Sequence, residues 1–156
     1  MMKLRQARGD EIPALWKLRT NAVAHACAAH YAPEVLAAWL ASPAPASLHQ
    51  LVARGGGTVV TEDGQLLGYA VLDADSGEVE AVFVDPAWHG RGIGRILLDA
   101  LGANARAAGI EHLFLSASLN AVPFYERAGF IAVREELYPH RSGIGIPSVF
   151  MEKVLD

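Results

Sequence analysis

Val82-Phe83-Val84-Asp85-Pro86-Ala87-Trp88-His89-Gly90-Arg91-Gly92-Ile93-Gly94-Arg95 passes from a β-branched run through an Asp-Pro turn and a glycine-rich bend into a helix. The helix shows in Ile93, Leu97, Leu101 and Ala105, which step by four, and in Gly109, placed where a C′ glycine ends a helix over about 92–108. Glycines at 90, 92 and 94 let the chain turn tightly and let a ligand approach the main chain, while the first N–H groups of the helix have no partner within it. That combination makes an anion site, and Arg91 and Arg95 add two cations suited to a pyrophosphate. The spacing also excludes. Counting Gly-x-Gly-x-x-Gly from Gly90 meets Arg95 where the third glycine should stand, and no Gly-Lys-Ser/Thr follows, so neither the dinucleotide fingerprint nor the P-loop is satisfied.

Upstream, Lys3 to Arg8 reads as a first strand, and Ile12, Leu15, Leu18, Ala22, Val23 and Ala26 form a helical stripe. Pro33 and Glu34 open a second helix through Leu40, stopped by Ser42-Pro43-Ala44-Pro45. After Gly55-Gly56-Gly57 the period changes to two. The runs 58–61, 66–72 and 78–84 predict three antiparallel strands in a meander. Downstream, a strand at 112–115, a helix at 121–128 ended by Gly129, and strands near 130–138 and 147–155 complete a mixed α/β order with about four helices on one sheet.

The 156 residues suit a single domain over 1–156, and 52% apolar residues supply a core. Thirteen Lys and Arg against seventeen Asp and Glu leave a net charge of −4, which argues against a nucleic-acid or anionic-membrane binder. One cysteine, Cys27, excludes an intramolecular disulfide and a thiolate zinc cage. His25 and His30 are five apart, off the metal spacing of a helix, so no metal is expected. With no apolar segment suited to export or membrane spanning, the expected location is the cytoplasm.

His89-Gly90-Arg91-Gly92-Ile93-Gly94 resembles the acyl-donor loop Gln/Arg-x-x-Gly-x-Gly/Ala of the GNAT superfamily of acetyl-coenzyme A dependent N-acetyltransferases, with His89 in place of the usual Gln or Arg. Asn120-Ala121-Val122-Pro123-Phe124-Tyr125-Glu126-Arg127-Ala128-Gly129-Phe130 is similar to a second segment of that family, one residue shorter in its first spacing. The resemblance implies a twisted, mixed sheet of six or seven strands whose fourth and fifth strands splay apart. It further implies that the pantetheine arm of acetyl-CoA pairs with Val82, Phe83 and Val84, that its pyrophosphate lies on His89, Gly90, Arg91, Gly92, Ile93, Gly94 and Arg95, and that Asn120 helps hold the arm.

Acetyl transfer to an amine needs a neutral nucleophile, a stabilised oxyanion and a proton for the departing thiolate. The resemblance places Tyr125 as the general acid, the other use of such a residue being a ring packed in the core. Glu78 and Glu80, two apart on the fourth strand, are expected to share a face with Val82 and Val84; either could take the amine proton, and a water path would also serve. Phe124 is expected to be plain core, and Trp16, Tyr31, Trp39, Tyr138, His140 and Arg141 are candidate walls of an acceptor pocket. The expected partner is an amine of a small molecule or peptide, with no nucleic acid, no membrane, and a homodimer left open. The rival reading is a coenzyme A binding module without catalysis, serving as a sensor or partner domain.

Overall fold

The computed structural model describes residues 1–140 and 142–156; Arg141, a candidate pocket wall, lies outside the described residues. Its elements are β1 (Met2–Gln6), α1 (Ile12–Cys27), α2 (Pro33–Ala41), α3 (Ala46–Ala53), β2 (Gly57–Glu62), β3 (Gln65–Asp73), β4 (Glu78–Val84), α4 (Ile93–Ala107), β5 (His112–Ser118), α5 (Val122–Arg127), β6 (Ile131–Pro139) and β7 (Gly145–Val154). The seven strands form one sheet in the order β1-β2-β3-β4-β5-β7-β6. Every neighbouring pair is antiparallel except β4 and β5, which run parallel and meet at one position, Glu78 opposite Phe114. Beyond that contact the two strands splay.

Helices cover both faces because each carries an apolar stripe. On α4, Ile93, Leu97, Leu101 and Ala105 are buried against Leu67, Ala70, Leu113 and Leu115. Gly68 on β3 lets this helix come close: a Cβ there would stand 2.9 Å from the Phe83 carbonyl oxygen and 3.1 Å from Ile93 Cγ2. The opposite face packs Leu15 and Leu18 of α1 and Leu48, Leu51 and Val52 of α3 against Val59, Tyr69 and Val71. The helix α3 was not anticipated. It is eight residues long with no side-chain cap, so its only marks in the sequence are Leu48, Leu51 and Val52.

One irregularity in the sheet bears on function. Val71 pairs with Ala81 but Leu72 pairs with Val79, so Glu80 is an extra residue bulged from β4. Val79 consequently faces the α4 side together with Val82 and Val84, while Ala81 and Phe83 face α1 and α3. The expectation that Glu78 and Glu80 share a face with Val82 and Val84 is therefore corrected. Strict alternation assumes a ladder without bulges, and the extra residue reverses the phase.

Leu97 is fully buried where α4 rests on Gly68. Leu97→Ala should lower unfolding stability by about 3 kcal/mol, read as a reduced urea midpoint with an unchanged slope.

Candidate functional site

The splay opens a cavity of about 850 Å³ that is walled by β4, β5, α1, the start of α4 and α5. Along its β4 wall the main chain is unpaired. The Asp85 N–H donates to Leu67 O at 2.8 Å, toward β3, and successive residues of a strand point their polar groups to opposite edges. Val82 and Val84 therefore turn N–H and C=O toward the gap, where β5 has moved out of reach.

At one end of the gap lies the glycine-rich turn. Asp85 Oδ1 accepts from the Ala87 N–H at 2.9 Å and the Trp88 N–H donates to Asp85 O at 2.8 Å, which closes a tight turn off the strand. Gly90 and Gly92 then adopt φ of 79° and 74°, a left-handed conformation that favours glycine. The first bond of α4 runs from the Ile96 N–H to Gly92 O at 3.0 Å. Among the described residues, no main-chain acceptor takes the N–H groups of residues 90–95, the donors a helix start leaves over. Arg95 Nε donates to Asp99 Oδ1 at 3.0 Å, so this cation is held beside the turn. Of the loop residues singled out in the sequence, His89, Gly90, Gly92, Ile93, Gly94 and Arg95 line the cavity, whereas Arg91 does not. The Arg91 guanidinium instead lies 4.8 Å from the centre of the Trp88 ring. His89 is exposed, its ring 5.7 Å from that of His25 on α1.

Across the gap stand Asn120 and Tyr125, both on the cavity wall. Asn120 Oδ1 accepts from the Cys27 thiol at 3.2 Å, and burial pushes that thiol up to about 11, so Cys27 stays protonated and unreactive at neutral pH. Tyr125 is 8% exposed, held edge-on by Phe124 and Phe130 at 5.0 and 5.6 Å. Burial raises its phenol well above the ordinary value, and no side-chain hydrogen bond joins its hydroxyl to another described residue. The group is a neutral O–H donor facing a cavity. Phe124, expected to be plain core, is half-buried and lines the cavity too, with its ring beside Gly94.

Glu78 and Glu80 line the cavity from the bulged end of β4. Burial raises the Glu78 carboxyl, against the hydrogen bond from Glu80 that lowers it. Glu80 is exposed as a residue at the cavity mouth, yet its carboxyl is crowded. Burial first, then the charge of Glu78, the hydrogen bond between the two and the charge of Asp73 carry it to about 7. The pair acts as two carboxylates sharing one proton.

The candidate walls Trp16, Tyr31, Trp39, Tyr138 and His140 all line the cavity. Tyr31 is also a brace, its hydroxyl donating to Pro147 O at 2.7 Å and accepting from the Leu119 N–H at 3.0 Å. Sequence reasoning missed Arg19, 3% exposed on the buried stripe of α1, and Tyr69 in the middle of β3. An arginine four residues beyond Leu15 on an apolar stripe was the available signal. Among the described residues, no group of three or more His, Cys, Asp and Glu side chains gathers to hold a metal ion, and no helix is long and apolar enough to cross a membrane.

Residues 27–155 match the acetyltransferase (GNAT) domain family. The chain belongs to that family. An IAA acetyltransferase of Azospirillum brasilense is 38% identical over 110 residues, 67% of each chain. A mycothiol acetyltransferase of Propionibacterium freudenreichii is 40% identical over 85 residues, 49% of this chain but 27% of the relative's length. Among solved structures, a GCN5-related N-acetyltransferase from Rhodopseudomonas palustris superposes with a TM-score of 0.85 at 25% identity, covering 98% of this chain and 95% of that one. An acetyltransferase from Salmonella typhimurium, solved with acetyl-CoA, superposes at 0.65 with 25% identity, covering 100% and 95%.

The Glu80 carboxyl sits at about 7 in the folded protein against an ordinary 4.5, so between those values the folded state holds more proton than the unfolded chain. Stability from this group is present below about 4.5 and is lost as pH rises through about 7. Glu80→Gln should flatten the decline of stability across that window, measured by denaturant unfolding at several pH values.

Proposed function

We propose that this protein transfers an acetyl group from acetyl-CoA to a primary amine of a small molecule or peptide by direct attack, without an acyl-enzyme. The observation that carries this reading is the gap between β4 and β5, where unpaired main-chain groups of Val82 and Val84 lead from the free N–H groups of residues 90–95 toward Tyr125. Pantetheine has two amides that need partners once out of water, and a diphosphate needs donors and positive charge. The strand edge and the turn supply both. The three glycines of the turn fit this use, since side chains at Gly90 and Gly92 would require a strained backbone and one at Gly94 would press on the Phe124 ring at 3.1 Å.

In the proposed reaction, Glu80, with Glu78 beside it, takes a proton from the ammonium of the acceptor, directly or through water. The neutral nitrogen then attacks the thioester carbonyl, whose developing oxyanion is met by the main-chain N–H of Val82 or Val84. As the C–N bond forms and the C–S bond breaks, Tyr125 donates its hydroxyl proton to the departing sulfur, and the proton that the nitrogen sheds in becoming an amide returns to the Tyr125 oxygen. Burial keeps the phenol protonated at neutral pH, so the proton is in place when the sulfur departs. Glu80 suits the base role because a carboxyl near 7 is largely ionised just above neutrality and still basic enough to accept. Val82, Phe83, Val84, His89, Gly90, Gly92, Ile93, Gly94, Arg95 and Asn120 line the space the donor would fill, whereas Arg91 lies against the Trp88 ring instead.

Thiol release from acetyl-CoA over a panel of amines tests the reading. Turnover should rise with pH through about 7, and Glu80→Gln should lower kcat/KM about a hundredfold and erase that rise. Tyr125→Phe should lower kcat by a similar factor with little change in coenzyme A affinity; unchanged kcat would remove Tyr125 from the mechanism. Gly92→Asp should weaken coenzyme A binding on the order of a hundredfold, through an aspartate carboxylate set against the diphosphate. Tight coenzyme A binding with no thiol release from any amine would favour the non-catalytic module instead.

A further inference from the structure

The acceptor end of the cavity is the end away from the glycine-rich turn, and its composition is one-sided. The bulge at Glu80 turns Glu78 and Glu80 toward the face that Ala81 and Phe83 share with α1 and α3. The walls on that side are aromatic, with Trp16, Trp39, Tyr69 and Phe83 lining the cavity beside Tyr138 of β6, whose phenol is raised first by burial and then by the charges of Glu80 and Glu78. Among the described residues the same side holds one buried arginine, Arg19, but its Nη2 is committed to Trp39 O at 2.8 Å and Ser42 Oγ at 3.2 Å. Its guanidinium also lies 4.2 Å from the centre of the Trp16 ring. Arg19 thus ties α1 to the end of α2 rather than presenting a fork to a ligand.

An acceptor entering this end therefore meets aromatic carbon along its body and carboxylates beside its amine. An ammonium is attracted there. A carboxylate on the adjacent carbon, as in any free amino acid, would be brought against Glu78 and Glu80 while losing water, and like charges so placed reject a ligand. Resting on the transferase reading above, we propose that the acceptor is an aromatic primary amine with no carboxylate next to its amino group, an arylalkylamine rather than an amino acid. The aromatic walls supply affinity and the carboxylate pair supplies the discrimination.

Tryptamine, tryptophan and tryptophan methyl ester share the indole and the primary amine and carry on the adjacent carbon a hydrogen, a carboxylate and a neutral ester respectively, so they serve as probes. Calorimetry on the coenzyme A loaded full chain should show tryptamine and the methyl ester binding at least tenfold more tightly than tryptophan. Glu78→Gln should narrow that difference by improving tryptophan, and Trp39→Leu should weaken tryptamine several-fold. Tryptophan binding as tightly as tryptamine would overturn the inference. Thiol release from acetyl-CoA, followed with the same three probes, separates the two claims. Selective binding of tryptamine without thiol release would contradict the transferase reading and uphold the preference, whereas faster acetylation of tryptophan than tryptamine would uphold transfer and overturn the preference.

Discussion

The molecule depends on a sheet that fails to close. β4 and β5 meet at Glu78 and Phe114 and then diverge, leaving polar main-chain groups of Val82 and Val84 without a strand to satisfy them. Unpaired backbone in an apolar setting is costly unless water or a ligand supplies partners, so the splay suits an occupant with amides of its own. The flanking elements keep the gap open. The α4 helix is clamped on β3 through Gly68 and Leu97, which fixes where the glycine-rich turn presents its N–H groups, and β5 is held from the far side along its whole length by β7.

The bulge of the same strand sets where its two carboxylates stand. One extra residue at Glu80 separates Val79 and Val82, which face α4, from the carboxylates and Phe83, which face α1 and α3. The crowded pair then shares a proton near neutrality, and burial raises the Tyr125 phenol across the cavity as well, so that it holds its proton firmly. A carboxyl that titrates near neutrality and a phenol that stays protonated suit the base and acid roles proposed for them.

Much of this was legible in the chain. The turn at 89–95 announced itself because glycines at two-residue spacing followed by a four-step apolar helix have few other uses, and the five strands and helices after it fell close to their observed bounds. The bulge was not legible, because it is a property of two strands in register and no residue of β4 alone encodes it. Nor was α3, whose eight residues give fewer than three turns of pattern. Arg19 was hidden for a related reason: its burial depends on Trp16, the Trp39 carbonyl and Ser42, partners up to 23 residues away that only folding gathers.

The central claim is that the main-chain N–H groups of residues 90–95 grip the diphosphate of coenzyme A. Amide nuclear magnetic resonance of the full chain, titrated with coenzyme A, reads those groups one by one. The account predicts downfield shifts and slowed hydrogen exchange at these amides, matched by protection at Val82 and Val84. Saturation with coenzyme A that leaves the amides of 90–95 unmoved would contradict it.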